Sequence, residues 1–488
     1  MGSVDAPKDY DVIIIGAGLS GINAAYRVQT ELPDYSYTIL EARDVIGGTW
    51  DLFRYPGIRS DSDLHTFGFP WRPWQHSKAI ADGTSIRNYI RDSAEHFGID
   101  KQIQFHHKLM SSDWSSNEQI PTSPISHLSK ARPSIRNSGP ETSITPTKKI
   151  IIIGSGATAV SLLPVLIEKA SHVTMLQRSP SYFISIPSVD TTSDLIRKIF
   201  PSWIASRLIR WKFLILPFLF FTFCRHFPAM AKKGLRKRIQ EDLPPSVPLD
   251  PHFNPSYYPW EQRLCICPDG DFFSALKTGK ADIVTDTITS VTTTGITTQS
   301  GQHLDADIII TATGLKMQLG GGAPLTVDGE KVVLHDRFLW KNTMVEKVPN
   351  AAVIIGYTNA SWTLGSDTAA LLICRVLKFM RDHNISSAAP TLGLNPSEQN
   401  GSASTGDKTV QSGEWRGMKE MAVLNLSSTY VEKAKGILPK TGDKGPWRPR
   451  SNYFVDGWGA VFGDLTTGLR FVPASATGKA NRVDKKSV

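Results

Sequence analysis

Two short runs of apolar residues organise this chain. The first is Tyr10–Ile15 (YDVIII) and the second is Lys149–Ile153 (KIIII). Unbroken apolar stretches of this length fit strands buried on both faces, as in a parallel sheet. Each run passes straight into a glycine-rich turn. Gly16-Ala-Gly18-Leu19-Ser20-Gly21 follows the first, and Gly154-Ser-Gly156-Ala157-Thr158-Ala159 follows the second. A helical pattern then continues through Val28 in one case and Leu166 in the other. Further strands are expected at Ser36–Leu40, His172–Leu176 and Asp307–Gly314, the last closing the second sheet. A strand–turn–helix unit used twice predicts an α/β fold with two Rossmann-type dinucleotide-binding domains.

The glycines carry chemistry as well as shape. Gly16 permits the tight turn, Gly18 lets backbone approach a pyrophosphate, and Gly21 lets helix and strand pack closely. The free N–H groups at the helix start suit phosphate. Glu41 ends the next strand, twenty residues after Gly21. A carboxylate there accepts hydrogen bonds from ribose hydroxyls and repels a 2′-phosphate, so this site expects FAD or NAD. A second glycine cluster, Gly47-Gly48-Thr49-Trp50, and then Arg54-Tyr55-Pro56-Gly57 follow closely, and they are assigned to the flavin end of FAD. At the second site the corresponding strand ends in Gln177-Arg178-Ser179. A cation at Arg178 accommodates the 2′-phosphate of NADPH. Two such sites in one chain imply electron traffic between a nicotinamide and a flavin.

Composition narrows the alternatives. A chain of 488 residues has room for two or three domains. Cys224, Cys265, Cys267 and Cys374 form no C-x-x-C pair, so neither a disulfide scaffold nor a metal site is expected. The net charge of +9 is dispersed, without the basic–aromatic runs of a nucleic-acid binder. The start of the chain shows no secretory pattern, which makes the cytoplasm the default expectation. Phe213–Cys224 (FLILPFLFFTFC) is uncharged over twelve residues, short of the ~20 that a membrane span needs. A buried helical segment is expected there, with a weak membrane contact through 210–225 as the sharper alternative. Ser115–Lys148 is rich in Ser, Pro and Thr and reads as linker or disorder. Asn384–Ser427 is also Ser/Gly/Pro-rich and reads as a loop or a second altered region.

These motifs, with GGTWDLFRYPGIRSDSD at Gly47–Asp63, PWEQRLC at Pro259–Cys265, DIIITATGL at Asp307–Leu315 and GYTNASWTL at Gly356–Leu364, resemble the class B flavoprotein (Baeyer–Villiger) monooxygenases. The resemblance implies interleaved domains. An FAD domain would be split between 1–114 and 346–488. A linker would cover 115–148, and an NADPH domain would occupy 149–345 with a helical insert at about 187–260. It also implies that NADPH reduces FAD, and that the reduced flavin uses O₂ to oxygenate a ketone or sulfide. Arg263 matches the family's catalytic arginine, which steadies negative charge on oxygen. Asp61 matches the aspartate paired with that arginine beside the flavin. Asn359 and Trp362 fall at a helix start able to face the flavin.

One family feature is missing. The pattern F-x-G-x-x-x-H-x-x-x-W does not occur between residues 100 and 150. Either the gene has lost that segment or the chain carries translated non-coding sequence there. Loss of a strand at this point would leave a sheet edge unpaired. It also keeps two other functions in view: an NADPH oxidase that releases H₂O₂, and a non-catalytic nucleotide-binding protein.

Overall fold

The computed structural model describes residues 9–115, 128–130, 147–315, 317–393, 415–424, 434 and 436–474. The first nucleotide-binding unit contains strand β1 (Val12–Ile15), helix α1 (Leu19–Glu31), β2 (Tyr37–Leu40) and β3 (Ile103–Gln104). The three strands are parallel in the order β1-β2-β3, with Val12 opposite Tyr37 and Ile39 opposite Ile103. Helix α1 buries Leu19, Ile22, Ala25 and Val28 at helical spacing.

The second unit contains β4 (Lys149–Ile153), α2 (Ala157–Leu166), β5 (His172–Gln177), α3 (Ser202–His226), α4 (Pro228–Asp242), β6 (Ala281–Thr285) and β7 (Ile308–Thr311). Its sheet is parallel throughout in the order β6-β5-β4-β7, so the strand expected at 307–314 does close it. Ile150 and Ile152 of β4 face a core that holds Phe183, Phe253 and Phe272, while Ile151 packs with Ile296 and Leu304 on the other face. Both faces of β4 are covered, which is why its sequence does not alternate.

The chain returns to the first unit near its end. Helix α5 (Trp362–Asp382) places Ala370 and Cys374 in the same core as Ile22 and Ile39. Arg27 grips Asp367 with two hydrogen bonds of 2.8 and 2.9 Å, and Lys378 reaches Glu31 at 2.7 Å. A last helix, α6 (Tyr453–Phe462), packs near α5 through the hydrogen bond from Arg375 to the Ala460 carbonyl.

Three expectations change. The low-complexity stretch after 115 contributes a strand, Leu128–Lys130, antiparallel to His107–Leu109. Residues 116–127 and 131–146 of it lie outside the described residues. The stretch after Asn384 begins with a strand, Ile385–Pro390, paired with Leu469–Pro473, because backbone pairing overrides a Ser/Ala-rich composition. Finally, Phe213–Cys224 is helical within α3 but not a buried segment. Of that helix only Ala205, Ile209 and Cys224 are fully buried, because only one side of it meets the protein.

Strand β1 differs from β4 in one respect. It is an edge strand among the described residues, and its Ile13 and Ile15 are 40% and 45% exposed. Loss of a strand from the family's pattern would leave an edge of this kind. Replacing Ile13 and Ile15 together by Thr should lower aggregation in light scattering while changing unfolding free energy by less than about 1 kcal/mol, as expected for exposed positions.

Candidate functional site

The first glycine loop folds back on the strand that precedes it. Gly16 takes a φ of +95°, and its N–H donates to Leu40 at 2.8 Å. A Cβ on Gly21 would stand 1.9 Å from the Gly16 carbonyl oxygen, so no larger residue fits at the helix–strand crossing. Helix α1 starts at Gly18 without a side-chain cap, which leaves its first N–H groups for a ligand. Glu41 is buried at the end of β2. Its two oxygens accept from the Ala17 N–H at 2.8 Å and the Arg43 N–H at 2.9 Å. Each carboxylate oxygen has a further lone pair, so the site can still receive ribose hydroxyls.

Gly47 and Gly48 form a second wall. A Cβ on Gly48 would come within 2.9 Å of the Gly18 Cα, so two backbones meet where both residues lack side chains. Thr49 and Trp50 begin a short helix, and Trp50 sits edge-on to Phe67 at 5.7 Å. Asp51 is buried and gathers Arg43, Arg54 at 2.6 Å and Arg87 at 3.3 Å. Three guanidinium groups on one carboxylate leave surplus positive charge beside the glycine loops, as a pyrophosphate requires. Helix α5 closes this side. Its first residue, Trp362, donates from Nε1 to Ser20 Oγ at 3.2 Å, while Asn359 lies in the turn before it.

The second loop has an open cradle. Gly154 has φ +133°, and a Cβ there would meet the Ala312 carbonyl at 2.4 Å. At Gly156 a Cβ would meet nothing within 4 Å, and α2 also begins uncapped. Gly156 and Ala157 are exposed, Thr158 is half-buried and Ala159 is buried. Arg178 and Ser179 are exposed at the end of β5, where the Ser179 carbonyl accepts from Ser155 Oγ at 3.0 Å. The two loops therefore match dinucleotides of different charge: a carboxylate ends β2 and a cation follows β5.

Residues 59–66 link these units. Burial pushes the carboxyls of Asp61 and Asp63 up to about 6. Arg59 and Arg263 pull Asp61 back down, while Asp271 pushes it up. Thr66 donates to both oxygens of Asp63, at 2.8 and 2.7 Å. Burial lowers the His65 imidazole to about 4, assisted by Arg197, so it is neutral near pH 7. The expected pair of Asp61 and Arg263 is a field effect without a salt bridge. Arg263 is exposed and donates from Nε to the Thr358 carbonyl at 3.1 Å and from Nη2 to the Tyr357 carbonyl at 3.2 Å. The direct ion pair of the region is Arg59 with Asp271, which joins the first unit to the second. Asp271 carries no local motif and was not legible in the sequence. The Cys265 and Cys267 thiols are buried, and burial pushes both up, so neither suits dithiol chemistry.

An NAD(P)-binding Rossmann-like domain family matches residues 14–83. The FAD-containing monooxygenase EthA of Mycolicibacterium smegmatis is 42% identical, over 92% of this chain and 94% of that protein. EthA of Mycobacterium tuberculosis is 40% identical over 91% of this chain and 94% of its own length. The chain belongs to the FAD-containing monooxygenase family. The probable FAD-binding monooxygenase AlmA of Acinetobacter baylyi is 38% identical over 92% of the chain and 93% of that protein. The fold agrees with a solved oxidised steroid monooxygenase bound to NADP. That structure has a TM-score of 0.65 at 17% identity and covers 96% of this chain and all of the other. The expected class B likeness and two-dinucleotide-domain fold are thus borne out.

In this family member the raised carboxyls predict a sign for pH dependence. A carboxyl whose pKa is raised on folding favours the folded state at low pH, and this stabilisation is lost as pH rises through about 6. Asp61→Asn should therefore raise the thermal midpoint more at about pH 8 than at about pH 4, measured by scanning fluorimetry at both.

Proposed function

We propose that the protein is an FAD-dependent monooxygenase that uses NADPH and O₂ to insert one oxygen atom into a ketone, giving an ester or lactone, or to oxidise a sulfide. The observation that carries this reading is the pair of uncapped glycine loops with opposite charges, Glu41 at one and Arg178 at the other, in a single chain. The residues present fit both groups: free helix N-termini, close glycine backbones and an open cradle at Gly156. In this reading Gly16, Gly18, Leu19, Ser20, Gly21, Glu41, Gly48, Thr49, Trp50 and Asp61 hold FAD. Gly154, Gly156, Ala157, Thr158, Ala159, Arg178 and Ser179 hold NADPH. FAD held there would supply the redox chemistry of hydride uptake from NADPH and of O₂ activation.

The chain's own residues do the rest. The Arg263 guanidinium is held by two carbonyls and keeps N–H groups for an anionic oxygen. A fixed cation stabilises that charge best where little solvent reorganises. Above about pH 6 Asp61 is ionised and offsets part of the Arg263 charge. We place the protein in the cytoplasm, a reading supported by four buried free cysteines.

A second reading, an NADPH oxidase releasing H₂O₂, is favoured by the open β1 edge beside the FAD loop. The ratio of oxygenated product to NADPH consumed separates the two: near one for the oxygenase, far below one for the oxidase. The first experiment is the visible spectrum of purified protein before and after anaerobic NADPH. A bound flavin that NADPH bleaches and NADH does not is expected; a colourless protein that takes up no added FAD overturns the proposal. Arg178→Ala should lower kcat/KM for NADPH roughly 10- to 100-fold while leaving NADH unchanged, as for loss of a charge-assisted phosphate contact. Arg263→Ala should abolish product while NADPH still bleaches the flavin, measured by stopped-flow absorbance.

A further inference from the structure

Helix α3 presents an apolar face that stays largely exposed among the described residues. Leu208, Trp211, Ile215, Leu216, Leu219 and Phe223 fall within one side of the helix and are all exposed, Leu219 by 54%. Helix α6 continues the surface. Trp211 stacks on Phe454 at 6.0 Å, Phe218 meets it edge-on at 5.4 Å, and Tyr453 donates its hydroxyl to the Leu214 carbonyl. From that contact Val455, Trp458, Val461 and Phe462 project outward, Trp458 by 69%. Exposed apolar patches of this extent mark interaction surfaces rather than chance.

The unpaired charge on α3 is positive. Its 25 residues contain no Asp or Glu; Arg207 and Arg225 are exposed, while Arg210 donates inward to the His65 and Gly68 carbonyls and Lys212 is paired with Asp190. The acidic residue of α6, Asp456, is turned inward, where it accepts from the Tyr357 hydroxyl at 2.8 Å. Beyond a bend of 115° after α3, helix α4 carries an open cleft of about 450 Å³ lined by Ala229, Lys232, Lys233, Arg236, Lys237 and Gln240. Exposed Phe227 and Met230 flank Ala229, joining the cleft to the apolar surface. Arg236 is paired with Asp250 at 3.0 Å and Lys232 donates to the Pro255 carbonyl. Lys233 is exposed, and Lys237 approaches Glu241 only at 4.0 Å, so these two ammonium groups are available.

We propose that the outer faces of α3 and α6, with the α4 cleft, form a docking surface for an anionic lipid bilayer. Tryptophan and phenylalanine favour the headgroup boundary, and lysines beside them attract anionic lipid phosphates. No single described helix is long and apolar enough to cross a membrane, and α3 and α4 reach that length and hydropathy only as a pair bent by 115°. A second copy of this chain is a poorer occupant, because it would bring an equally basic face against this one.

The test is flotation of the flavin-loaded full chain with vesicles of phosphatidylcholine alone and of phosphatidylcholine mixed with phosphatidylglycerol. The expected result is binding to the mixed vesicles that weakens with added salt, and much less to the neutral ones. Lys233→Glu with Lys237→Glu should weaken binding to mixed vesicles about tenfold or more. Trp211→Ser with Leu219→Ser and Trp458→Ser should do the same, and Trp458→Ser alone serves if the triple variant loses its flavin spectrum. Flavin absorbance and its bleaching by NADPH check that each variant is folded. Wild-type protein that remains unbound with both vesicles overturns the proposal. So does vesicle binding unaffected by every variant, or a dimer in solution that depends on Trp458 and Leu219 without vesicle binding.

Discussion

Close approach of backbone to backbone at the two glycine loops governs the rest of this structure. At the first loop, Gly21 lies so near the Gly16 carbonyl that a single methyl group would collide. That contact sets the start of α1 against the end of β1, and the uncapped N-terminus of α1 then points over the sheet. The Gly18–Gly48 contact adds the second wall, and Trp362 of a distant helix closes on Ser20. The second loop is tight at a different point: Ala159 stands where the first loop has Gly21, and it is Gly154 that a Cβ would drive into the Ala312 carbonyl. Larger side chains at these points would separate strand, helix and ligand together.

Charge then distinguishes the loops. Glu41 is committed to its own loop by two backbone donors, which fixes where its remaining lone pairs point. Around Asp51 three arginines exceed the charge of one carboxylate, and this surplus sits at the wall of the first loop. Arg59 carries the connection across to Asp271 in the second unit, while Arg263 is held by carbonyls at 357 and 358. The segment bearing Asp61, Asp63 and His65 is therefore a place where burial and charge oppose one another. Shifts of this kind concentrate where chemistry is done.

The outer surface is less balanced than the interior. The edge of β1 exposes isoleucines that an additional strand would cover, and α3 and α6 expose a broader apolar face. The two differ in kind. The first is a gap in a sheet and lies beside the first glycine loop. The second is continuous across two helices, carries tryptophans and adjoins the basic residues of α4.

Much of the fold was legible in the chain because its signals are local. Apolar runs at Val12–Ile15 and Lys149–Ile153, glycines at fixed offsets, and an acid or a base at the next strand's end all act within one strand–turn–helix unit. The same locality marks Gly16, Gly154, Glu41 and Arg178 as candidate site positions. Partnerships made across the chain were not legible. Asp271 with Arg59, the carbonyls that hold Arg263, and Ser20 with Trp362 are separated by scores to hundreds of residues and leave no periodic trace. Nor does an apolar run say whether it is covered. Phe213–Cys224 and Lys149–Ile153 are similarly hydrophobic, yet one is half open to solvent and the other lies in a core. Sequence determined which elements form and which charges end them, since those depend on neighbouring residues. Tertiary structure alone decided what each face meets, because burial depends on elements that arrive from elsewhere in the chain.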